Sequence, residues 1–362
     1  MHLGTTFALP GICLALMLVG CSADKGGSTP GSDRPASGRP VILSMDLAMG
    51  LTTGNANGTM ATPGDYDDTW ALAMMLDREQ FDILGIVVTM GNGQLAPEMV
   101  VTQQAMEALQ LDVPLVAGAA TWLPVAAPLN FDGKDLSPTC VNAGVEFMAA
   151  QLRQRDDVTV LATGPLTDVA CLVMAYPTEA ARIKEIVALV GAAPGPLVYA
   201  GKTVRDFNYS MDPRALAVVL EESQIPFTTV TFEASSSAAM PTAVVAELAA
   251  SELPLARYFG EASQAYADWW ESKLGPTKPA WDAAVVWQVL HPEDFQCGPA
   301  RFELALGPPN QVSPDIYDSF ILDPAADPRV TACMSFVDQA AIDRMNESVL
   351  AAVGGSIAPG TP

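Results

Sequence analysis

Short apolar runs alternate with helical segments along the chain from residue 41 onward, and this alternation limits the fold more than any other feature. The apolar runs, such as residues 81–90 with their Ile and Val, have the length of buried strands. Strands that alternate with helices predict a parallel sheet that is covered on both faces. We therefore expect an α/β fold with an open, mostly parallel, Rossmann-like sheet and helices on both faces.

The carboxyl ends of the predicted strands are the first places to search for a site, because ligands of open parallel sheets bind there. The predicted strands span residues 41–45, 81–90, 113–118, 158–162, 186–190 and 227–232. The predicted helices span residues 67–78, 97–111, 166–174, 212–222 and 282–290. Polar residues that directly follow a strand are therefore candidates for function.

The first 40 residues have the features of an export signal followed by a linker. An apolar run over residues 13–19 is far shorter than the roughly 20 residues that a membrane span needs. It leads into Leu18-Val19-Gly20-Cys21, which resembles a bacterial lipobox. We expect residues 1–21 to be a lipoprotein signal peptide, residues 22–40 a flexible tether, and residues 41–362 the folded domain.

A lipid on Cys21 anchors the protein to a membrane of the cell envelope under this interpretation. Ser22 after the modified cysteine resembles outer-membrane sorting, so we expect the periplasmic face of the outer membrane. An ordinary secretory signal that happens to end near an unmodified Cys21 is the alternative.

The acidic balance of the chain excludes one class of partner. With 18 Lys and Arg against 41 Asp and Glu, the formal net charge is −23. Such a surface repels phosphate backbones, and no cluster of Lys and Arg forms a basic patch, so we expect no nucleic-acid binding. The acidity either keeps the protein soluble or brings several carboxylates together on a cation.

Four cysteines lie outside the leader, and none belongs to a CxxC pair, so they do not fit a zinc site. An oxidising compartment permits disulfides. Cys297 and Cys333 border two late strand-like segments and are the candidate pair. Cys171 lies among apolar residues of a predicted helix, where a buried thiol is expected.

Carboxylates are concentrated around the end of the first predicted strand. Asp46 follows this strand directly, and a loop over residues 50–64 then leads into Asp65, Asp67 and Asp68. Acids that converge in this way repel one another unless a cation lies among them, and calcium prefers such oxygen ligands. A simpler interpretation is that Asp65 or Asp67 caps the helix, but this does not account for Asp46.

Polar residues follow the later strands as well. They are Gly91-Asn92, the segment Thr163 to Asp168, Asp206-Phe207-Asn208 and Trp281-Asp282. Each has an ordinary explanation as a turn or a helix cap, and we favour a cap for Asp168. Their recurrence at one edge of the sheet is what favours a common site.

Taken in order, these segments resemble the inosine–uridine nucleoside hydrolase family. Its opening signature, D-x-D-P-G-x-D-D after a strand, corresponds to Ser44-Met45-Asp46, an insertion, and Pro63-Gly64-Asp65-Tyr66-Asp67-Asp68. Gly91-Asn92, the segment ATGPLTD at residues 162–168, DFN at 206–208 and Trp281-Asp282 are similar to later family motifs. The resemblance extends to the C-terminus, so residues 41–362 are expected to form a nucleoside hydrolase-like catalytic domain.

The resemblance implies hydrolysis of the N-glycosidic bond of ribonucleosides, which gives ribose and a free base. It implies a Ca²⁺ ion held by Asp46, Asp68, the Thr163 carbonyl and Asp282, with Asp46 also the general base for the attacking water. It further implies contacts from Asp67, Asn92, Asn208 and Asp282 to the ribose, and from Asp206 to the 5′-hydroxyl. We expect this protein to form a homodimer or a homotetramer.

The chain departs from the family pattern on the leaving-group side. Many members carry a His before the late aspartate as proton donor to the base, and this chain has Trp281 there. Purine-preferring members stack the base on a Trp at this position, so the resemblance implies that Trp281 binds the base. His291, the only His outside the leader, follows a helix away from the site. Trp269 and Trp270 are further aromatic candidates, on a helix over the site.

Two other functions stay open at this point. One is a calcium-containing lipoprotein of the same fold that binds nucleosides or sugars without hydrolysing them. The other is a hydrolase of another ribosyl compound, with the loop over residues 50–64 reshaping the pocket. A phosphotransferase is disfavoured, because no P-loop is present. Another hard cation could replace calcium, since oxygen ligands alone do not decide the metal.

Overall fold

The computed structural model of the protein describes residues 38–52, 62–77, 79–123, 140–304 and 318–354. The predicted leader, nearly all of the predicted tether, and most of the loop over residues 50–64 lie outside the described residues. Within the described residues, no helix has both the length and the apolar character needed to cross a membrane.

The described strands form one large sheet and two small ones. In chain order they are β1 (Arg39–Met45), β2 (Phe81–Val88), β3 (Leu115–Ala117), β4 (Thr159–Ala162), β5 (Glu185–Leu189), β6 (Val198–Tyr199), β7 (Lys202–Thr203), β8 (Phe227–Val230), β9 (Ala239–Pro241), β10 (Thr277–Pro279), β11 (Phe295–Leu304), β12 (Asp318–Leu322) and β13 (Val330–Phe336). The small sheets pair β6 with β7 and β9 with β10.

The large sheet has nine strands in the order β12-β11-β13-β8-β5-β4-β1-β2-β3. All neighbouring pairs from β13 to β3 are parallel, whereas β11 and β12 are antiparallel to their neighbours. The chain leaves β1 towards β2 on one side, and β4 continues towards β5 on the other. The carboxyl ends of β1 and β4 therefore border the crevice where open α/β sheets bind ligands.

Helices connect the strands and cover the sheet. They are α1 (Asp67–Met74), α2 (Leu95–Ala108), α3 (Ala143–Gln154), α4 (Thr167–Ala175), α5 (Pro177–Ala180), α6 (Phe207–Met211), α7 (Pro213–Glu222), α8 (Phe232–Ser236), α9 (Ala243–Ala249), α10 (Pro254–Leu274), α11 (Trp281–Leu290) and α12 (Gln339–Gly354). A short 3₁₀ turn follows at Pro292–Asp294.

Two apolar cores lie on opposite faces of the sheet, because successive side chains of a strand point to opposite faces. In β1, Val41, Leu43 and Met45 belong to the core that includes residues of α1, α11 and α12. Ile42 of the same strand belongs to the second core, with residues of α3, α4 and α7. The expected α/β fold, with a mostly parallel sheet and helices on both faces, is confirmed.

The predicted elements are present, with shorter bounds in several cases. The strand predicted over 81–90 ends at Val88, and the one predicted over 113–118 spans Leu115–Ala117. The helix predicted over 67–78 ends at Met74. The antiparallel pair β11 and β12 was not predicted, since an edge hairpin breaks the alternation of strand and helix.

Two disulfides are present among the described residues, Cys140–Cys171 and Cys297–Cys333. The second confirms the candidate pair, whose cysteines face each other across β11 and β13. The first shows that the expectation of a buried thiol at Cys171 is wrong. Cys171 lies on α4, and Cys140 precedes α3, which packs against α4. The partner thus comes from a segment 31 positions away, which the local apolar pattern of α4 does not reveal.

Candidate active site

Asp46 lies at the crevice between β1 and β4, in a space too small for larger neighbours. The backbone N–H of Asn92 donates to Asp46 Oδ2 at 2.8 Å. A Cβ atom at Gly91 would lie 1.8 Å from Asp46 Oδ2, and one at Gly164 would lie 3.0 Å from Asp46 Oδ1. These two glycines let the backbone approach the carboxylate closely. Asp46 Oδ1 is buried and accepts no hydrogen bond from the described residues.

Three further carboxylates converge beside Asp46. One oxygen each from Asp67, Asp68 and Asp282 lies within 4.8 Å of the others, and all three residues are buried. The first two stand at the start of α1 and the third at the start of α11, and these two helices pack against each other. The contact between the two helix starts therefore assembles the group.

Polar contacts tie Asp68 to the ends of two strands. The Thr163 hydroxyl donates to Asp68 Oδ1 at 2.6 Å, and the Asn92 side-chain amide lies 3.3 Å from Asp68 Oδ2. The Asn208 side-chain amide donates to the carbonyl oxygens of Thr163 and Leu189. The four predicted metal ligands thus meet at one edge of the sheet, although the tight carboxylate group includes Asp67 in place of Asp46.

Lys278 is a buried cation that pairs with two of the acids. Its Nζ lies 2.9 Å from Asp65 Oδ1 and 3.1 Å from Asp67 Oδ2, and the side chain is 1% exposed. Four aromatic rings surround the ammonium, at 4.6 Å to 5.8 Å from Nζ to the ring centroid; they are Trp281, Tyr66, Tyr266 and Trp270. Such rings attract a cation through their negative faces.

Burial governs the acidity of the site. It is the main reason that the pKa of Asp46 lies well above its ordinary value, and Asp68 and Glu98 add to the effect. Burial, Asp67 and Asp68 raise the pKa of Asp282 in the same way. Burial raises the pKa of Asp65 to about 7 and that of Asp68 to about 6. Several of these carboxyls therefore hold protons near neutral pH unless a cation replaces them.

A cavity of about 440 Å³ opens above these residues. Asp46, Asp65, Asp67 and Asp282 give it an acidic floor, together with Asn92, Thr163 and Asn208. One wall is aromatic and consists of Tyr266, Trp269, Trp270 and Trp281. The cavity thus joins a group of oxygen ligands to a flat apolar surface, a combination that suits a sugar linked to a ring.

Trp281, Trp269 and Trp270 all border this cavity. The indole N–H of Trp281 donates to Ser236 Oγ at 3.0 Å, and its ring lies 5.2 Å from that of Trp270 in an edge-on arrangement. Both Trp269 and Trp270 lie on α10. His291 is at the opposite end of α11 from Trp281, against the ring of Trp287, which agrees with its predicted distance from the site.

Asp206 also lines the cavity, but its carboxylate is engaged by the backbone. It accepts hydrogen bonds from the N–H groups of Gly191 and Tyr209, and it caps α6. The predicted cap at Asp168 is wrong. Its oxygens accept from the Ala119 N–H and the Asn142 side chain, so Asp168 ties α4 to two neighbouring segments.

Comparison with known proteins identifies the family. A family model described as inosine-uridine preferring nucleoside hydrolase matches residues 62–340. This chain belongs to that family. It is therefore a hydrolase that acts on nucleosides.

The relatives of this nucleoside hydrolase differ in their named specificity. The pyrimidine-specific ribonucleoside hydrolase RihA of Shewanella sp. (strain MR-7) is 30% identical over 241 residues, which cover 62% of this chain and 68% of RihA. The non-specific ribonucleoside hydrolase RihC of Salmonella enteritidis PT4 is 30% identical over 172 residues, which cover 43% of this chain and 54% of RihC.

Solved structures of nucleoside hydrolases share the fold. The plant nucleoside hydrolase PpNRh1 has a TM-score of 0.65 and 16% identity, and the match covers 86% of this chain and 99% of that one. A purine-preferring ribonucleoside hydrolase from Gardnerella vaginalis has a TM-score of 0.66 and 16% identity, with 87% and 98% covered.

Sequence reasoning missed three buried or pocket-lining charges in this nucleoside hydrolase. Lys278 was overlooked because a single Lys between Thr and Pro has no recognisable motif, although it stands three positions before Trp281. Glu98 is fully buried near Asp46 and accepts from the Gly93 N–H at 2.5 Å. Its position on the buried face of α2 was the available signal. Arg205 lines the cavity directly beside Asp206.

The residues present fit a divalent cation. Asp46 offers a buried oxygen with no donor, and three carboxylates beside it lie within reach of one ion. Lys278 pairs with Asp65 and Asp67 but makes no ion pair with Asp46, Asp68 or Asp282. Calcium takes 6–8 oxygen ligands, which carboxylates, a carbonyl and water supply together.

Replacing Lys278 with Met is expected to destabilise the protein by about 3–5 kcal/mol, because it leaves two buried carboxylates without their cation. Urea unfolding at pH 7 measures this loss, with the exposed Lys184→Met as matched control. The double variant Asp65→Asn/Lys278→Met is expected to regain part of the loss. Equal stability of Lys278→Met and Lys184→Met would contradict the ion pairing.

Stability is also expected to depend on calcium and pH together. In calcium-free protein the raised pKa values let the folded chain keep protons that the unfolded chain has lost. The free energy of unfolding therefore falls as pH rises from about 4 to about 7. Calcium at this site would bind the ionised carboxylates, so its stabilising effect is expected to grow over the same range. Thermal unfolding with EDTA or calcium at pH 5 and pH 7.5 tests this, and an equal calcium shift at both pH values would contradict it.

Proposed function

We propose that this protein hydrolyses the N-glycosidic bond of ribonucleosides with the help of bound calcium, releasing ribose and a free base. The observation that carries the proposal is the group of Asp67, Asp68 and Asp282, within 4.8 Å of one another and beside the unpaired oxygen of Asp46. This group lies at the floor of a cavity whose size suits a small molecule.

Asp46, Asp68, Asp282 and the Thr163 carbonyl would hold the ion. When bound, a divalent cation acidifies a water molecule and orients it for attack. Asp46 accepts the proton of the attacking water, since its Oδ1 has no other donor while Oδ2 is fixed by the Asn92 N–H. The backbone after β2 therefore sets the position of Asp46, the general base.

The remaining polar groups of the floor serve the ribose. Four polar side chains line the cavity and would form hydrogen bonds with the 2′- and 3′-hydroxyls of the ribose. They are Asp67, Asp282, Asn92 and Asn208. As the base departs, positive charge develops on the sugar ring. Fixed carboxylates beside that charge stabilise it without having to reorganise.

The aromatic wall would bind the base, and Trp281 supports a purine as the preferred one. The relatives include pyrimidine-specific and non-specific enzymes, so this preference rests on the wall itself. One face of Trp281 is directed at Lys278, with 4.6 Å from Nζ to the ring centroid. Lys278 and the Ser236 hydroxyl therefore fix the ring against which a base would stack.

Asp46→Asn is expected to lower kcat on inosine by about 100-fold to 10,000-fold, because the variant loses its general base. At saturating calcium the KM for inosine is expected to change much less. Ribose release with calcium or EDTA measures both values, and Asp156→Asn, which replaces an exposed Asp, is the matched control.

Full activity of Asp46→Asn would remove Asp46 from the mechanism. Absence of ribose release from the wild-type protein with any common nucleoside, with calcium shown to be bound, would contradict hydrolysis and favour a nucleoside-binding lipoprotein.

Trp281→Ala is expected to lower kcat/KM for inosine by about threefold to tenfold relative to that for uridine, because aromatic stacking contributes about 0.5–1.5 kcal/mol beyond area burial. Initial rates on the two nucleosides measure this ratio. Trp287→Phe, a change in the core away from the cavity, controls for general loss of stability. An unaltered ratio in Trp281→Ala would contradict base stacking on this residue.

We further propose that the protein is anchored in the cell envelope by a lipid on Cys21. The two disulfides support an oxidising compartment outside the cytoplasm. Labelling with a radioactive fatty acid is expected to mark the wild-type chain and not Cys21→Ala. Cys13→Ala, which changes another cysteine of the leader, is expected to label normally. Equal labelling of Cys21→Ala would contradict the anchor.

A further inference from the structure

Arg205 is the only basic residue among the described residues that line the cavity. It lies in the short segment between β7 and α6, beside Val204 and Asp206, which line the cavity as well. The proposed hydrolysis of a neutral nucleoside gives this guanidinium no task. Its presence in the wall of the site therefore requires another explanation.

The guanidinium of Arg205 has no carboxylate partner among the described residues. Its carbon lies 4.9 Å from the centroid of the Phe207 ring, and this is the contact that the structure gives it. Other arginines of the chain, such as Arg39 and Arg344, form ion pairs with carboxylates. Burial lowers the pKa of Arg205. A half-buried charge without a counter-charge is unfavourable unless a ligand supplies one.

The cavity consequently has two charged regions. Asp46, Asp67 and Asp282 are at its floor, after β1 and at the starts of α1 and α11, whereas Arg205 lies in the segment between β7 and α6 and forms no ion pair with them. A ligand that spans both regions would place hydroxyl groups on the floor and negative oxygens against Arg205. The planar fork of a guanidinium suits the paired oxygens of a phosphate or a carboxylate.

We propose that Arg205 binds an oxyanion carried by the substrate, so that the preferred substrate is an acidic riboside and not a neutral nucleoside. This inference rests on the proposed function, because it assigns the ribose to the acidic floor. The oxyanion is either a phosphate on the 5′-oxygen of the ribose or a carboxylate on the base. Both present two negative oxygens to the guanidinium, and two pairs of compounds separate them.

The experiment uses the full-length protein with calcium and compares inosine with inosine 5′-monophosphate, and uridine with orotidine. Each pair differs by one oxyanion, on the sugar in the first and on the base in the second. Two ratios are measured for each pair, kcat/KM from ribosyl release and Kd from quenching of tryptophan fluorescence. The Kd measurement does not require turnover. Tryptophan fluorescence can report binding because Trp269, Trp270 and Trp281 line the cavity.

The variants are Arg205→Met, which keeps bulk without charge, and Arg205→Lys, which keeps charge without the fork. Arg182→Met is the matched control, because Arg182 is also partly buried but precedes β5, at the amino ends of the strands and away from the cavity. Phosphate also binds calcium, so a preference of the wild-type protein for the acidic compound does not by itself show that Arg205 binds the oxyanion. A loss of that preference in Arg205→Met would show it.

In one pair, Arg205→Met is expected to lower the preference for the acidic compound by about 10-fold to 100-fold, the effect of a charge-assisted hydrogen-bonded pair. Arg205→Lys is expected to retain part of the preference, and Arg182→Met all of it. A loss in the first pair assigns a 5′-phosphate, and a loss in the second assigns a carboxylate on the base. Ratios that do not respond to Arg205 in either pair overturn the inference.

The two proposals fail separately. If inosine is cleaved and the kcat/KM and Kd ratios are unchanged in Arg205→Met, the hydrolase function stands and the acidic substrate is overturned. Binding of an acidic compound that depends on Arg205, without cleavage of any compound, keeps the oxyanion site and overturns hydrolysis. Absence of both binding and cleavage overturns both.

Discussion

Repulsion between buried carboxyl groups is the constraint on which the arrangement of this site depends. Asp46, Asp67, Asp68 and Asp282 are each at most 4% exposed, and water does little to screen them. Lys278 offsets part of this charge by pairing with Asp65 and Asp67. Burial, and after it the repulsion from neighbouring acids, raises the pKa values of Asp46, Asp68 and Asp282, and a divalent cation would offset both effects. The aromatic rings around Lys278 then serve two purposes, since they hold the ammonium in place and form one wall of the cavity.

The fold makes this concentration of charge feasible by bringing strand ends together. β1 and β4 are neighbours from which the chain runs in opposite directions, so the residues that follow them meet without a loop passing between. Glycines at positions 91 and 164 provide the remaining space beside Asp46. The acids at the starts of α1 and α11 complete the group because those helices pack together. The polar groups of the site thus stand at the ends of strands and at the starts of helices.

Most of this arrangement could be predicted from the sequence because strand ends are local features. Asp46, Asn92 and Thr163 each follow an apolar run, and a parallel sheet brings such positions to one edge. Lys278 could not be found in this way, since its role comes from a contact with residues more than two hundred positions earlier. The same holds for Cys171, whose partner belongs to another helix region. Arg205 stands next to a predicted motif, but only the structure shows that its guanidinium contacts the Phe207 ring and has no carboxylate partner within the described ranges.

The spread of the acidic group along the chain has a consequence for how the protein matures. Asp46 stands near the start of the folded region and Asp282 near the end of its central part, so neither half alone holds the complete set. A preformed metal site does not exist in an incompletely folded chain, and the free energy of ion binding is then part of the free energy of folding. An ion at this site would therefore stabilise only those molecules in which the two distant segments have come together.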